Sequence, residues 1–129
     1  MEMKTRTGFT LIELLIVVVI IGLLASIAIP KFASTREKAY IASLKSDLKN
    51  LATLQDIYHN LHYTYSTDFT ALEFGPSAGV TVTIGEATGT GWSASSAHAG
   101  IPGQSCALFH GNATVVTPAT IVSQVTCSM

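Results

Sequence analysis

The chain has 129 residues, 48% of them apolar and 12% charged, with a net charge of −1 and a mean hydropathy of +0.44. Such low charge with so much apolar content excludes an intrinsically disordered chain and argues for one that attaches to a membrane or polymerises. The charge balance excludes a generally basic nucleic-acid binder, and the two cysteines exclude a disulfide-dense miniprotein while allowing one bridge.

The layout is uneven. Hydrophobicity concentrates between Phe9 and Ile29, and charge between Lys31 and Glu73. Beyond Glu73 the only charged side chain is Glu86, in a tail rich in Ser, Thr, Gly and Ala.

The run from Phe9 to Ile29 spans 21 residues. As a helix it reaches about 30 Å, the thickness of a bilayer's hydrocarbon core. The β-branched stretch Ile16 to Ile21 favours a strand in water. In lipid a strand leaves its backbone unpaired, so helix wins. A cleaved secretory signal is the competing reading, and Lys4 and Arg6 supply its basic start. The run is too long for that, and Ile29-Pro30-Lys31-Phe32 is a poor cleavage site. Lys4 and Arg6 before the run nearly balance Lys31, Arg36 and Lys38 after it, so charge counting does not orient the span. A bridge in the tail needs an oxidising compartment, which sets the N-terminus in the cytoplasm and the tail outside.

Glu13 is the anomaly of the run. A carboxylate inside an apolar span costs about 2.5–3.5 kcal/mol to insert and is usually functional. One reading lets it snorkel to the membrane surface. The other gives it a partner from another molecule or from a newly made N-terminus, since no Lys, Arg or His lies between it and Ile29.

The segment Gly8-Phe9-Thr10-Leu11-Ile12-Glu13-Leu14 resembles the processing site of type IV pilins and their pseudopilin relatives. In that family a membrane peptidase cuts a short basic leader after glycine, and the new N-terminal residue is N-methylated. The resemblance implies cleavage between Gly8 and Phe9, methylation of Phe9, and a prepilin peptidase/N-methyltransferase as partner. A family glutamate five residues past the cut matches Glu13, and a proline twenty-two past it matches Pro30. Glu13 of one subunit would then meet the Phe9 amine of its neighbour and fix axial register, the best-attested use of a buried ion pair. The implied leader is residues 1–8, and its removal leaves five basic against seven acidic side chains. Pro30 removes the helical donor for the Ser26 carbonyl. It either kinks or ends the helix, or, as the family implies, the helix is continuous in the monomer and melts between Gly22 and Pro30 in a filament. A second family proline, about twenty residues later, is replaced here by Asn50.

From Ser34 to Leu61, Tyr40, Ile41, Leu44, Leu48, Leu51, Leu54, Tyr58 and Leu61 recur at helical spacing. No Gly or Pro interrupts residues 31–60. The expectation is one helix of about 50 residues, by the 3.6-residue period, with segment 9–30 in the membrane and 31–62 amphipathic. His59 and His62 share a helix face but lack complementary ligands, so a polar helix end accounts for them better than a metal pair. Tyr58, Tyr63, Tyr65, Phe69 and Phe74 gather where the helix gives way to the connecting segment 63–78, and are expected to cap the edge of the core.

In segment 79–129, Gly79 to Ile84 alternates as a strand. Glu86 to Gly91 reads as a turn, and Gly91 to His98 as the partner strand. Cys106 to His110 is a third strand, and a weaker fourth is expected in Thr114–Val116 or Ile121–Val125. Four antiparallel strands against one long helix make an α+β, pilin-like roll. Cys106 and Cys127 either close a loop, as the family's C-terminal disulfide implies, or remain buried thiols.

No catalytic set, metal-ligating set or cofactor site is expected: nucleophile-elbow, zincin, phosphate-loop and Cys-x-x-Cys motifs are all missing from the sequence. The leading expectation is the structural subunit of a type IV pilus, a helical homo-oligomer drawn from the bilayer by an inner-membrane assembly platform. A pseudopilin of a type II secretion system is second, although Glu86 alone past Glu73 offers few oxygens for calcium. A monomeric anchored binding domain leaves Glu13 without a partner. A DNA-uptake pilin lacks a basic patch in its tail, and no specific nucleic acid is expected.

Overall fold

The computed structural model describes residues 1–128. The chain divides between Arg36 and Glu37 into two compact units. One long helix, α1, runs from Leu11 to His62. Within the first unit its apolar side chains are exposed all round, from Leu11 at 82% to Ile29 at 69%. A helix that is apolar on every side is stable only with lipid or other helices against it. Pro30 lies inside α1 without ending it. Near it, the Ser26 hydroxyl donates to the Leu23 carbonyl at 2.7 Å.

In the second unit the helical stripe finds its partner. Leu44, Leu48 and Leu51 are fully buried, at the four-and-three spacing that keeps them on one helix face. They pack against a sheet of β1 (Val80–Ala87), β2 (Gly91–His98), β3 (Ser105–Gly111) and β4 (Thr126–Cys127), ordered β1-β2-β3-β4. Every pairing is antiparallel. The unit is the expected α+β roll.

Strand β1 outlasts the alternation that signals it. The register slips between Ile84 and Glu86, and pairing resumes at Glu86↔Ser93 and Ala87↔Trp92. A bulge absorbs Gly85 and carries the strand into residues expected as turn. β2 and β3 are buried almost continuously rather than alternately. For β3 the reason is a second small cluster, Ala107, Phe109 and Ala119 with Val116 against it. The segment after β3 thus covers part of the sheet face that α1 leaves open, and the small residues of β2 let both layers approach.

The fourth strand corrects the expectation. Neither 114–116 nor 121–125 is a strand; β4 is Thr126–Cys127, paired as Cys106↔Cys127 and Ala107↔Thr126. Pro118 and a lack of alternation leave the intervening chain to turns. Cys106 and Cys127, 21 residues apart, are bridged. Cys106→Ser is expected to destabilise this unit by about 2–4 kcal/mol, because the unfolded chain regains its loop entropy. Membrane insertion should be intact, with less subunit at the cell surface. Free thiols on both residues in native material would contradict this.

Two polar clasps hold the segment between α1 and β1. The buried Asp47 carboxylate accepts from the Ser77 amide and hydroxyl, each at 2.8 Å. Gln55, also buried, donates to the Ser66 carbonyl at 2.6 Å and accepts from its amide at 3.0 Å. Each buried side chain is thereby satisfied by a loop with little regular structure of its own.

Candidate functional site

The N-terminal candidate residues lie in the first unit. Residues 1–10 carry no regular secondary structure. A Cβ at Gly8 would meet nothing within 4 Å, and Phe9 is 88% exposed. The Gly8–Phe9 peptide bond therefore precedes α1 and is exposed, outside any regular secondary structure.

Helix α1 begins just after that bond, and the local chemistry shows why. The Thr10 amide donates to Glu13 Oε2 at 2.8 Å, and the Glu13 amide donates to Thr10 Oγ1 at 3.3 Å. This reciprocal pair is a capping box, with Thr10 as N-cap and Glu13 three residues on. The carboxylate also meets the positive end of the helix dipole. The sequence Thr10-Leu11-Ile12-Glu13 itself carries this signature, a threonine followed three residues on by a glutamate. Capping engages one carboxylate oxygen, and Oε1 keeps its acceptor sites for a cation from elsewhere. Gly22 lies farther along the same unit with open space around it, and Pro30 lies beyond it inside the unbroken helix.

Cys106 and Cys127 belong to the second unit, as does the aromatic group. Phe69 and Phe74 pack at 5.5 Å. Tyr65 stacks on His59 at 4.4 Å and approaches His110 at 5.9 Å and Trp92 at 6.4 Å. Tyr58 lies 4.2 Å from His62. Tyr63 does not join them: it is 81% exposed, with φ 57°. The histidines take separate partners, since His59 Nε2 lies 3.0 Å from the Gly89 carbonyl. Among the described residues no three His, Cys, Asp or Glu side chains gather closely enough to hold an ion. Burial, with the Asp56 charge adding to it, raises the Tyr65 hydroxyl above the ordinary tyrosine value. The group is a rim of rings closing the core beside the end of α1.

Residues 3–29 match the family model described as the prokaryotic N-terminal methylation motif. Over 73 residues the chain is 36% identical to a protein of Pseudomonas aeruginosa named type II secretion system core protein G, covering 57% of this chain and 51% of that one. It is 43% identical over 72 residues to the type IV major pilin protein PilA of Myxococcus xanthus, covering 56% of this chain and 33% of the pilin. A fimbrial protein of Pseudomonas aeruginosa is 38% identical over 82 residues, with 50% and 53% covered. The chain thus spans about half the length of two of these relatives and a third of the other.

Proposed function

We infer that this chain, a member of the type IV pilin and pseudopilin family, is the structural subunit of a type IV pilus filament serving adhesion or motility. The observation that carries the reading is the N-terminal methylation motif heading a helix whose large apolar side chains from Leu11 to Ile29 are exposed. Lipid satisfies that surface while the subunit waits in the inner membrane, N-terminus in the cytoplasm. Packed neighbouring helices satisfy it in a filament, and the exchange of lipid for protein removes little of the hydrophobic driving force.

The order of events follows from the residues. A prepilin peptidase cuts after Gly8, releasing residues 1–8, and methylates the Phe9 amine, which keeps its positive charge. The assembly platform then brings that ammonium to Glu13 of a neighbour. A buried carboxylate and ammonium are each costly alone and tolerable together, so the pair sets axial register rather than adding net stability. Gly22 and Pro30 mark where the helix yields on packing. The Cys106–Cys127 loop and its nearly uncharged surroundings face outward.

The relatives named type II secretion core protein G support a second reading, a pseudopilin whose filament stays beneath the cell surface. One experiment separates them. Cells are sheared, the released material is imaged by electron microscopy, and its subunit is identified by mass spectrometry. Thin surface filaments built of this chain are expected. Absence of the chain from that fraction, with loss of protein secretion when it is deleted, would contradict the pilus reading and favour the pseudopilin.

A further inference from the structure

All five basic side chains beyond residue 8 fall between Lys31 and Lys49. In the second unit, Lys38, Lys45 and Lys49 stand seven and four residues apart, on one face of α1. All three are exposed. Lys45 and Lys49 line a groove of about 520 Å³ with Ala52, Thr53 and the 123–125 segment. Nothing in that lining is acidic.

The acids of the same unit are arranged differently. Asp47 and Glu37 are taken up by Ser77 and Gln104, and Glu86 accepts from the Thr114 amide at 2.9 Å. Asp68 uses one oxygen on the Thr70 amide at 2.8 Å. No lysine or arginine appears among these donors. Asp68 and Glu73 bracket a single exposed turn beside the C-terminal end of α1, where Glu73 adjoins Ile57, Leu61 and His62. From residue 50 onward the sequence has no lysine or arginine. Along α1, Lys45 and Lys49 stand about 12–18 Å from Ile57, which adjoins Glu73, and the exposed Asp56 lies seven residues past Lys49 on the same helix face. The exposed lysines of the unit therefore all precede Asp56 and the acidic turn along the chain.

An ordinary soluble surface mixes its signs. Segregated signs on one rigid unit complement a translated copy of that unit, and such a head-to-tail contact does not close, so it propagates as a fibre. We propose that the Lys38, Lys45 and Lys49 face of one copy receives the Asp68–Glu73 turn of the next. The groove at Lys45 and Lys49 is the seat, and the acidic turn is its occupant. This deepens the filament reading and rests on it. The contact sets which copies meet and in which direction, because like-charge juxtaposition is the costly alternative.

Three variants test it in the full chain: Lys45→Glu with Lys49→Glu, Asp68→Lys with Glu73→Lys, and all four together. Each pair alone should lower sheared filament yield about tenfold or more at equal membrane-fraction subunit. The fourfold variant should restore most of it, since the reversed faces again match. Carbodiimide treatment of wild-type filaments should join Lys45 or Lys49 of one copy to Asp68 or Glu73 of another. Wild-type yield from the lysine pair overturns the proposal, even if that variant has lost binding to duplex DNA. So does a fourfold variant no better than either pair, or cross-links confined to other residues. If untreated wild-type cells carry no polymer at all, the filament reading fails, and this contact fails with it.

Discussion

Glu13→Gln and Glu13→Leu are both expected to accumulate in the inner membrane while surface filaments become scarce. Insertion should not suffer, because replacing the carboxylate removes a cost of about 2.5–3.5 kcal/mol from the span. Assembly should suffer, because the neighbour's Phe9 ammonium is then buried without a counter-charge, a loss of about 3–5 kcal/mol. The capping box makes the two substitutions informative in different ways. Glutamine keeps the shape and can still bond the Thr10 amide, so the cap survives and only the charge goes. Leucine removes both, with a further loss of about 0.5–2 kcal/mol if the helix start frays. Comparing membrane-fraction subunit with sheared filaments decides between the roles. Normal filament yield from Glu13→Gln would reduce Glu13 to a helix cap.

Trp92→Ala is expected to cost the second unit about 3–5 kcal/mol, the range for emptying a large aromatic site in a closed core. Trp92 is 1% exposed, and it faces Ala87 on one neighbouring strand and His110 on the other. It belongs to the same cluster as Leu44, Leu48 and Leu51. The sheet around it is built largely of Ala, Ser, Thr and Gly, so no other β2 side chain is large enough to fill the space. Stability here is marginal, and such a loss is a large fraction of what a small unit holds. Thermal unfolding followed by circular dichroism should shift down by well over ten degrees. A shift of only a degree or two would show that the core closes without the indole.

Much of this arrangement is legible in the chain because its signals are local. The helical stripe from Tyr40 to Leu61 carries its own period, and so does the alternation Val80-Thr81-Val82-Thr83. Gly8, Phe9, Glu13 and Pro30 stand at fixed offsets along one segment, so no tertiary knowledge is needed to align them. What escapes the sequence depends on partners far along the chain. Strand β4 is only two residues long and is defined by its pairing to Cys106 and Ala107. The continuous burial of β3 reflects the covering loop around Ala119, which packs on Ala107 and Phe109, not any pattern within β3. The burial of Asp47 depends on Ser77, thirty residues on, which closes against it. Tyr63 shows the reverse error: proximity in sequence to Tyr65 suggested a shared cluster, and a left-handed φ turns it out to solvent.

The direct test of the account is the N-terminus of the subunit recovered from filaments. N-terminal sequencing and intact mass are predicted to show a chain that begins at Phe9, lacks residues 1–8 and carries one added methyl group on its α-amine. A filament subunit that retains residues 1–8, or one that starts after Pro30, would contradict it.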